Sequence, residues 1–359
     1  GAQMSRRSSF VSAVSQLCCS GKQVSPADLG ATLYGSVRLP TDVAASGRHE
    51  LCLFGVARDE AEKESEEKEL EVSGCDDLSA LRDQLALAGI GLCCRSGRHP
   101  GVPNQDSLLL CRKDGLTVLG LADGFGECGH WVADWVVRYA LSFILSQMWR
   151  LQSATYKTYL EDLFSAVHKA LKFRSAEDNV DIAVSGSTFS LVLVDHGARI
   201  VTSAWIGDSK CILAEAGPAG MPSEASDRSE GAELMRVAFQ ETDPLTMDND
   251  PRASTSYFMN PAVERRLGNL AAHGFGSSHT PATKCMACKS TDAFVISCTD
   301  AVWEQLSTEE VLEAVGAAGK PHVQEAAESL VQLARERCVE ALASSDEAYE
   351  DMSAAIIWV

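Results

Sequence analysis

The most constraining stretch of this chain is Thr117–Trp135, which reads TVLGLADGFGECGHWVADW. The apolar run Leu116–Leu121 predicts a buried strand, and Asp123 with Gly124 follows where that run ends. From Trp131 onward, apolar residues recur at helical spacing. A carboxylate that follows a rigid strand, beside glycines that let a backbone carbonyl approach an ion, suits a hard metal ion. Asp-Gly is also a common turn dipeptide, so a metal site needs acidic partners elsewhere in the chain.

Other acidic turns along the chain share this position next to an apolar strand-like run. They contain Gln105 and Asp106, Asp208, Asp300, and Glu350 with Asp351. Carboxylates gathered at one end of a sheet sandwich would repel each other unless cations lay among them, and oxygen ligands favour Mg²⁺ or Mn²⁺ over zinc. Sequence spacing alone does not show that these turns converge.

Strand-like runs alternate with pairs of predicted helices, which indicates an α+β fold with antiparallel sheets. The predicted helices are Trp131–Arg150, residues 157–173, Thr308–Val315 and Val323–Leu342. Ser307 and Glu310 have the spacing of a capping box for the third of these helices. His168, on the second helix, is expected to lie on the helix surface rather than to bind a ligand.

Composition limits the possible partners. The chain has 359 residues and a formal net charge of −19, without the Lys and Arg clusters that a nucleic-acid phosphate backbone requires. The acidic run at residues 59–71 is read as a solvated segment. Neither a signal-like segment nor an eighteen-residue apolar span is present, and the 13 cysteines suit a reducing compartment, so we expect a cytoplasmic rather than a secreted protein. Cys285 and Cys288 form a lone CxxC, which favours ordinary thiols over a zinc ribbon.

Residues 1–84 are predicted to form a weakly structured extension, with one short strand at Glu50–Ala57, and residues 85–359 the main domain. Gly1 and Ser5 fit an N-myristoylation signal once an initiator Met is removed, although the first residues equally fit an expression remnant. Cys18 and Cys19 could carry a second acyl chain, so peripheral membrane tethering is a further hypothesis.

The order of the motifs resembles that of the metal-dependent type-2C serine/threonine protein phosphatases, the PPM family, over about residues 88–359. The spellings look most like those of plant and protist members. The motifs are NQDS, ADGFGECGHWVADW, GSTFSLVLVD, WIGDSK, LTMDNDP, VERRL, DAFVISCTDAVWEQLS and EDMSAAIIWV. The resemblance implies an αββα sandwich of two central antiparallel sheets flanked by helix pairs. It also implies two Mn²⁺ or Mg²⁺ ions, to which a weaker third ion can be added, and a monomer that hydrolyses phosphoserine and phosphothreonine in phosphoprotein substrates through a metal-activated water.

The same resemblance assigns roles to individual residues. Asp123, Asp300 and Asp106 would be the catalytic residues. Asp123 would bridge the metals and Gly124 would offer its carbonyl. The remaining expected metal ligands are Asp300, Glu350, Gln105 and, for a third ion, Asp208.

Several positions depart from the family pattern. Phe125 stands where the family usually has a histidine that acts as general acid, a loss that typically costs about 10²- to 10⁴-fold in rate. His130 could replace that acid in part, and Arg98 is the candidate for binding the substrate phosphate. Gln105 is neutral where a carboxylate is common, Glu350 replaces an aspartate, and a segment before Asp292 is shortened. Two hypotheses follow: a slow or narrowly selective phosphatase, or a pseudophosphatase that serves as a binding or regulatory module.

Overall fold

The computed structural model describes residues 51–56, 85–99, 102–113, 115–147, 150–151, 155–216, 235–240, 265–274, 276–289, 293–342 and 348–359. Gly1, the pair Cys18 and Cys19, and the acidic run 59–71 lie outside the described residues. Within the described residues, the strands form two antiparallel sheets, and helices lie on the outer face of each sheet. This arrangement confirms the predicted α+β sandwich.

The first sheet has the strand order β1-β3-β4-β6-β7-β11, with the short strand β5 paired to β4 and β10 paired to β5. Its strands are β1 (Leu51–Val56), β3 (Asp106–Lys113), β4 (Leu116–Phe125), β5 (Gly186–Ser187), β6 (Phe189–Asp195), β7 (Ile200–Ile206), β10 (Leu267–Gly268) and β11 (Ala282–Ala287). The strand predicted at Glu50–Ala57 is therefore present as β1, where it pairs with β3 at the edge of the sheet.

The second sheet has the strand order β2-β13-β12-β8-β9. Its strands are β2 (Ile90–Arg95), β8 (Lys210–Ala216), β9 (Met235–Gln240), β12 (Ala293–Cys298) and β13 (Met352–Trp358). The C-terminal apolar run forms β13, which lies between β2 and β12 in the sheet.

The described residues contain six α-helices. They are α1 (Gly129–Gln147), α2 (Tyr156–Asp178), α3 (Leu270–Gly274), α4 (Asp300–Gln305), α5 (Thr308–Ala318) and α6 (Val323–Ala341). Five of these six helices pack on the outer faces of the sheets, and the short α3 lies against α2. The α5 helix begins with the predicted capping box, in which the Ser307 hydroxyl accepts from the Glu310 N–H and the Glu310 carboxylate accepts from the Ser307 N–H. None of the described helices is both long enough and apolar enough to cross a membrane.

Three layers of apolar side chains hold this sandwich together. One layer lies between α1, α2 and the first sheet, another between α4, α5, α6 and the second sheet, and the third between the two sheets. In β4, Val118 belongs to the outer layer, whereas Leu119 and Leu121 belong to the layer between the sheets. Because both faces of β4 are covered, its sequence is continuously apolar rather than alternating. Burial of each such leucine contributes about 1.5–3 kcal/mol.

The Asp123-Gly124 dipeptide is not a turn. The β4 strand continues through Phe125, because Gly124 and Phe125 pair with Ser187 and Gly186 of β5. The chain turns one residue later, at Gly126, whose φ of 82° is accessible mainly to glycine.

Candidate active site

The predicted acidic residues of both sheets are brought to one end of the sandwich by the strand connections. In the first sheet, Asp106 begins β3 and lies directly opposite Asp123, near the end of the antiparallel strand β4. In the second sheet, Asp300 follows β12. Glu350 precedes β13, which is the antiparallel neighbour of β12. Antiparallel neighbours end and begin at the same edge of a sheet, so each sheet contributes two acidic residues to this end.

A direct hydrogen bond joins these two edges across the sandwich. The Ser353 hydroxyl, in β13, donates to Oδ2 of Asp106 in β3 over 2.7 Å. Ser353 is fixed in turn by Thr299, since the Ser353 N–H donates to the Thr299 hydroxyl and the Thr299 N–H donates to the Ser353 carbonyl. Because Thr299 immediately precedes Asp300, the paired residues Ser353 and Thr299 fix the position of Asp300 relative to Asp106.

Asp106 is the most enclosed carboxylate of the site. Its side chain is fully buried, and Oδ1 has no hydrogen-bond partner among the described residues. Burial, followed by the charge of Asp351, raises the pKa of Asp106 well above its ordinary value, while the Ser353 hydrogen bond opposes that rise. A buried, half-satisfied carboxylate with an acidic neighbour needs a proton or a cation beside it.

Asp123 and Asp300 contact each other. Burial and the charges of Asp106, Asp300 and Asp208 raise the pKa of Asp123 well above its ordinary value, and a hydrogen bond joins the Asp123 and Asp300 side chains. Burial also raises the pKa of Asp300, although the Ala301 N–H, 2.7 Å from Oδ1, partly offsets this rise.

Glu350 and Asp208 lie at the rim of the same group. Both residues are exposed at the surface, yet neighbouring protein atoms displace part of the water around their carboxylates. This desolvation and the charge of Asp300 raise the pKa of Glu350 to about 7. They also raise the pKa of Asp208, where Arg266 acts in the opposite direction.

Asp351 has a structural role that the sequence interpretation missed. Its two carboxylate oxygens each accept a 2.7 Å hydrogen bond, one from the Gly97 N–H and one from the Gln105 N–H. The available sequence signal was the presence of a second acid directly after Glu350. Adjacent side chains of an extended chain point in opposite directions, so the two acids were bound to have different partners. Asp351 thereby positions the segment that carries Arg98 and the turn that carries Gln105.

Gln105 and Gly124 lie beside Asp123. The Gln105 amide donates to the Gly126 carbonyl over 2.8 Å, which leaves its Oε1 as the atom available to a cation. The Gln105 carbonyl accepts from the Gly124 N–H. A Cβ on Gly124 would lie 2.2 Å from the carbonyl oxygen of Gly129 at the start of α1, so only glycine fits this approach.

Thr188 also supports Asp123 and was not found from the sequence. Its hydroxyl accepts from the Asp123 N–H over 3.2 Å and contacts the Ser209 hydroxyl at 2.8 Å, and its own N–H donates to the Asp123 carbonyl. Thr188 therefore links the backbone of Asp123 to the turn that carries Asp208.

The predicted substrate-binding residues differ in their surroundings. Arg98 pairs through its backbone with Tyr349, directly before Glu350, and its guanidinium lies 5.3 Å from the centre of the Tyr349 ring. His130 is the second residue of α1, and its Nδ1 is buried without a hydrogen-bond partner in the described part of the chain. Burial lowers the pKa of His130, while Asp134 opposes this shift.

Phe125 occupies the position expected for a general acid. Its ring packs against Gly186, where a Cβ would approach within 2.5 Å, and the Arg266 guanidinium lies 4.6 Å from the ring centre. A cation over an aromatic face is a favourable contact, typically worth about 0.5–2 kcal/mol. The position is therefore filled by an apolar ring beneath a positive charge.

The donor set of this site fits hard divalent cations. Its potential ligand atoms are the oxygens of Asp106, Asp123, Asp300 and Glu350, and Oδ1 of Asp106 is buried and unpaired. Oxygen donors without His or Cys suit Mg²⁺ and Mn²⁺. Cations there would offset the burial and the neighbouring negative charges that raise the pKa values of Asp106 and Asp123.

Sequence comparisons agree with the fold. The sequence model of the family described as Protein phosphatase 2C matches residues 126–341, a range that contains Asp208 and Asp300. Probable protein phosphatase 2C 48 of Oryza sativa subsp. japonica is 28% identical over 288 residues, covering 68% of this chain and 76% of the relative. Probable protein phosphatase 2C 72 of Arabidopsis thaliana is 26% identical over 259 residues, covering 67% of this chain and 77% of the relative.

Solved structures share the architecture. Serine-threonine phosphatase 2C from Toxoplasma gondii superposes with a TM-score of 0.55 at 13% identity, covering 75% of this chain and 94% of that protein. The catalytic domain of serine threonine protein phosphatase PstP, in complex with 2 manganese ions, gives a TM-score of 0.50 at 17% identity, covering 75% of this chain and 97% of that domain.

Proposed function

The chain belongs to the protein phosphatase 2C family, and we propose that it hydrolyses phosphoserine and phosphothreonine in proteins with the help of divalent metal ions. The observation that carries this proposal is the group of buried carboxylates, Asp106, Asp123 and Asp300, which two different sheets bring together. Their raised pKa values and the unpaired Oδ1 of Asp106 support a cation site.

Asp123, Asp300 and Glu350 would hold Mn²⁺ or Mg²⁺, with Asp106 and Oε1 of Gln105 near the second ion. Asp208 would contribute to a weaker third ion. The two manganese ions of the PstP domain, which shares the fold, support a site for more than one ion. When bound, such ions activate a water molecule and neutralise the charge of a phosphoryl group.

The protein's own residues would orient the substrate around this site. Arg98 pairs with Tyr349, directly before Glu350, and this position supports a role for its guanidinium in binding the substrate phosphate at the rim. Asp351 fixes the Gly97 N–H beside Arg98 and would keep this segment in position when the substrate binds.

Protonation of the leaving group would be the poorly catalysed step of the reaction. Phe125 has no proton to donate, and the lowered pKa of His130 makes its imidazole mostly neutral at pH 7. We therefore expect slow turnover, with water as the proton source. The contact of Phe125 with Arg266 favours the second candidate function, a pseudophosphatase that binds phosphoproteins or other partners without turnover.

The decisive experiment measures Mn²⁺-dependent hydrolysis of a phosphothreonine peptide by the full chain. We expect activity that falls at least about 10²-fold in Asp123→Ala and Asp300→Ala, the scale of losing a strong transition-state contact. The matched control is Asp162→Ala, which removes an exposed aspartate paired with Arg150. Calorimetry with Mn²⁺ should show binding that both site variants weaken.

The outcomes separate the two candidate functions. Mn²⁺ binding without hydrolysis would favour the pseudophosphatase. Hydrolysis that is equal in Asp123→Ala, Asp300→Ala and the control would show that these carboxylates are not the catalytic site.

Acylation of Gly1 and tethering to a membrane are part of the proposal for the natural protein, together with a cytoplasmic location and a monomeric state. Mass spectrometry of the protein purified from its native cells would reveal a fatty-acyl increment on the N-terminal peptide. An unmodified N-terminal glycine, or a different natural N-terminus, would reject the acylation proposal.

A further inference from the structure

A second cluster of potential metal ligands lies away from the carboxylates and consists of three histidines. His168 is on α2, His273 is in α3, and His279 precedes β11. One ring nitrogen from each histidine lies within 4.8 Å of the others. The His168 ring stacks on His279 with a centroid distance of 4.2 Å and lies 4.5 Å from the His273 ring.

The chain segment that carries two of these histidines is fixed by its backbone. The N–H groups of Leu270 and Ala271 donate to carbonyls that follow α2, those of Ile182 and Ala183. Arg266 donates from its N–H to the Ser278 carbonyl, which closes the segment on itself. His273 and His279 are therefore held against α2 by contacts that do not involve their imidazoles.

His168 is the most informative member of the cluster. The expectation that it lies on the helix surface is wrong, because its residue is only 4% exposed and α3 with the following loop covers this face of α2. Its Nδ1 is buried and has no hydrogen-bond partner among the described residues. Buried polar atoms in native proteins nearly always have a partner, so this nitrogen calls for one.

His273 has the arrangement of a metal ligand supported by a backbone carbonyl. Its Nε2 lies 3.1 Å from the Arg266 carbonyl, to which only a protonated nitrogen can donate. In the neutral ring this contact leaves Nδ1 as the atom with a free lone pair. Metal-bound histidines typically donate their second ring nitrogen to such an oxygen, which fixes their tautomer and orientation.

We propose that His168, His273 and His279 bind a divalent transition-metal ion of the Zn²⁺ class, with a water molecule or an external ligand in the fourth position. Three nitrogen donors suit Zn²⁺ rather than the Mg²⁺ or Mn²⁺ favoured by the oxygen donors of the acidic site. This site is independent of the proposed phosphatase function.

Side-chain rotation is needed for this coordination. A tetrahedral ion bound at about 2.0–2.1 Å requires nitrogen atoms about 3.3 Å apart, compared with the present limit of 4.8 Å. The His168 and His279 rings are parallel within 3°, so their lone pairs do not converge until one ring turns. His279 is only partly buried and lies in a loop, so its ring is the one expected to rotate.

The bound ion would fasten residues 265–280 to α2. This segment includes Arg266, whose guanidinium lies over Phe125 at the edge of the acidic site. The ion would restrain the backbone of Arg266 through His273, because His273 contacts the Arg266 carbonyl.

The test uses the full chain, stripped of metal with a chelator, and Zn²⁺ as the probe. Zn²⁺ affinity is measured by competition with a chromophoric chelator for wild type, His279→Gln and His273→Gln. The matched control is His322→Gln, which changes an exposed histidine near the start of α6. His168 is left intact because its burial makes a folding defect the expected result of replacing it.

We expect a Zn²⁺ site whose affinity falls at least about 10- to 100-fold in both cluster variants and not in the control. That range is typical of disrupting even an outer partner of a metal-bound histidine. X-ray absorption of the bound Zn²⁺ should show nitrogen and oxygen ligands. Zn²⁺ should slow hydrogen exchange in residues 265–280 of wild type and of the control, but not of the two cluster variants.

Two results would overturn the proposal: equal Zn²⁺ affinities in wild type and both cluster variants, or sulfur ligands that assign the ion to the cysteines. Thermal unfolding without metal shows that each variant is folded before it is compared. Two separate variants keep the test valid if one of them misfolds.

Discussion

The Ser353 hydroxyl donates a 2.7 Å hydrogen bond to Oδ2 of Asp106, and this contact connects the two sheets at the end where the carboxylates gather. Ser353 belongs to β13 and Asp106 to β3, so the bond spans 247 positions of sequence. It partly offsets the rise in the Asp106 pKa that burial and Asp351 cause. The Asp106 carboxylate and the packing of the two sheets therefore depend on the same hydroxyl group.

We predict that Ser353→Ala lowers the free energy of unfolding by about 1–3 kcal/mol, because it leaves a buried carboxylate oxygen without a donor. Mn²⁺ affinity should also fall, since Asp106 then holds its proton more tightly. Ser297→Ala is the matched control, because the Ser297 hydroxyl is buried in β12 without a hydrogen-bond partner in the described structure. Urea unfolding and calorimetry measure both effects, and equal losses in the two variants would contradict the prediction.

A substitution at Gly124 tests whether β4 must pass close to the start of α1. Gly124→Ala would place a Cβ 2.2 Å from the Gly129 carbonyl oxygen, so backbone atoms must move. We predict a loss of about 1–3 kcal/mol of stability, the usual cost of overpacking, and weaker Mn²⁺ binding as Asp123 shifts. Gly197→Ala is the control, since its Cβ would meet nothing closer than 3.5 Å. A thermal unfolding midpoint that falls equally in the two variants would rule out this explanation.

Phe125→His should restore a proton donor at the leaving-group side of the site. We predict a rise in kcat on a phosphothreonine peptide of about 10²-fold, the low end for a positioned general acid. The low end applies because Arg266, now 4.6 Å from the Phe125 ring centre, disfavours a protonated imidazole at that position. Phe125→His with Arg266→Gln should therefore be faster still.

Phe125→Leu is the control for the changed volume of the side chain. The pH profile of kcat should gain a limb that falls toward high pH only in the histidine variants. Equal rates for Phe125→His and Phe125→Leu would show that the missing acid is not what limits turnover.

Sequence reasoning predicted the elements of this fold because each one is encoded locally. Continuous apolar runs identified the doubly covered strands such as β4 and β13, and Ser307 with Glu310 identified the start of α5. The order of the motifs supplied the topology, which no single motif could. The acidic turns were found because each follows or precedes a buried strand.

The residues that sequence reasoning missed act through contacts between distant elements. Ser353 and Thr188 look like ordinary strand residues, and their hydrogen bonds to Asp106 and Asp123 depend on how sheets and turns pack. Asp123-Gly124 was read as a turn, but pairing with β5 extends the strand. The helical pattern around His168 does not show that its face of α2 is buried. That face is covered by a segment more than a hundred residues later in the chain, which the local sequence does not reveal.

His196 provides a test of pH dependence away from both proposed metal sites. It lies in the turn between β6 and β7, where its Nε2 is 2.9 Å from the Thr117 hydroxyl. Burial, then the charges of Arg112 and Lys320, lower its pKa from 6.5 to about 4, while Asp195 acts in the opposite direction. The folded state thus disfavours the charged ring, so this contribution to stability is complete above pH 6.5 and is lost as the pH falls toward 4.

In His196→Gln, whose side chain cannot be protonated, we predict a smaller loss of unfolding free energy between pH 7 and pH 4 than in wild type. The difference is bounded at about 3 kcal/mol by the size of the pKa change. Urea unfolding in the presence of a chelator, across this pH range, measures it. His322→Gln, which removes an exposed histidine, should keep the wild-type slope. If His196→Gln loses as much stability as wild type over the same range, protonation of His196 does not drive the acid sensitivity, and the acid limb must come from other groups.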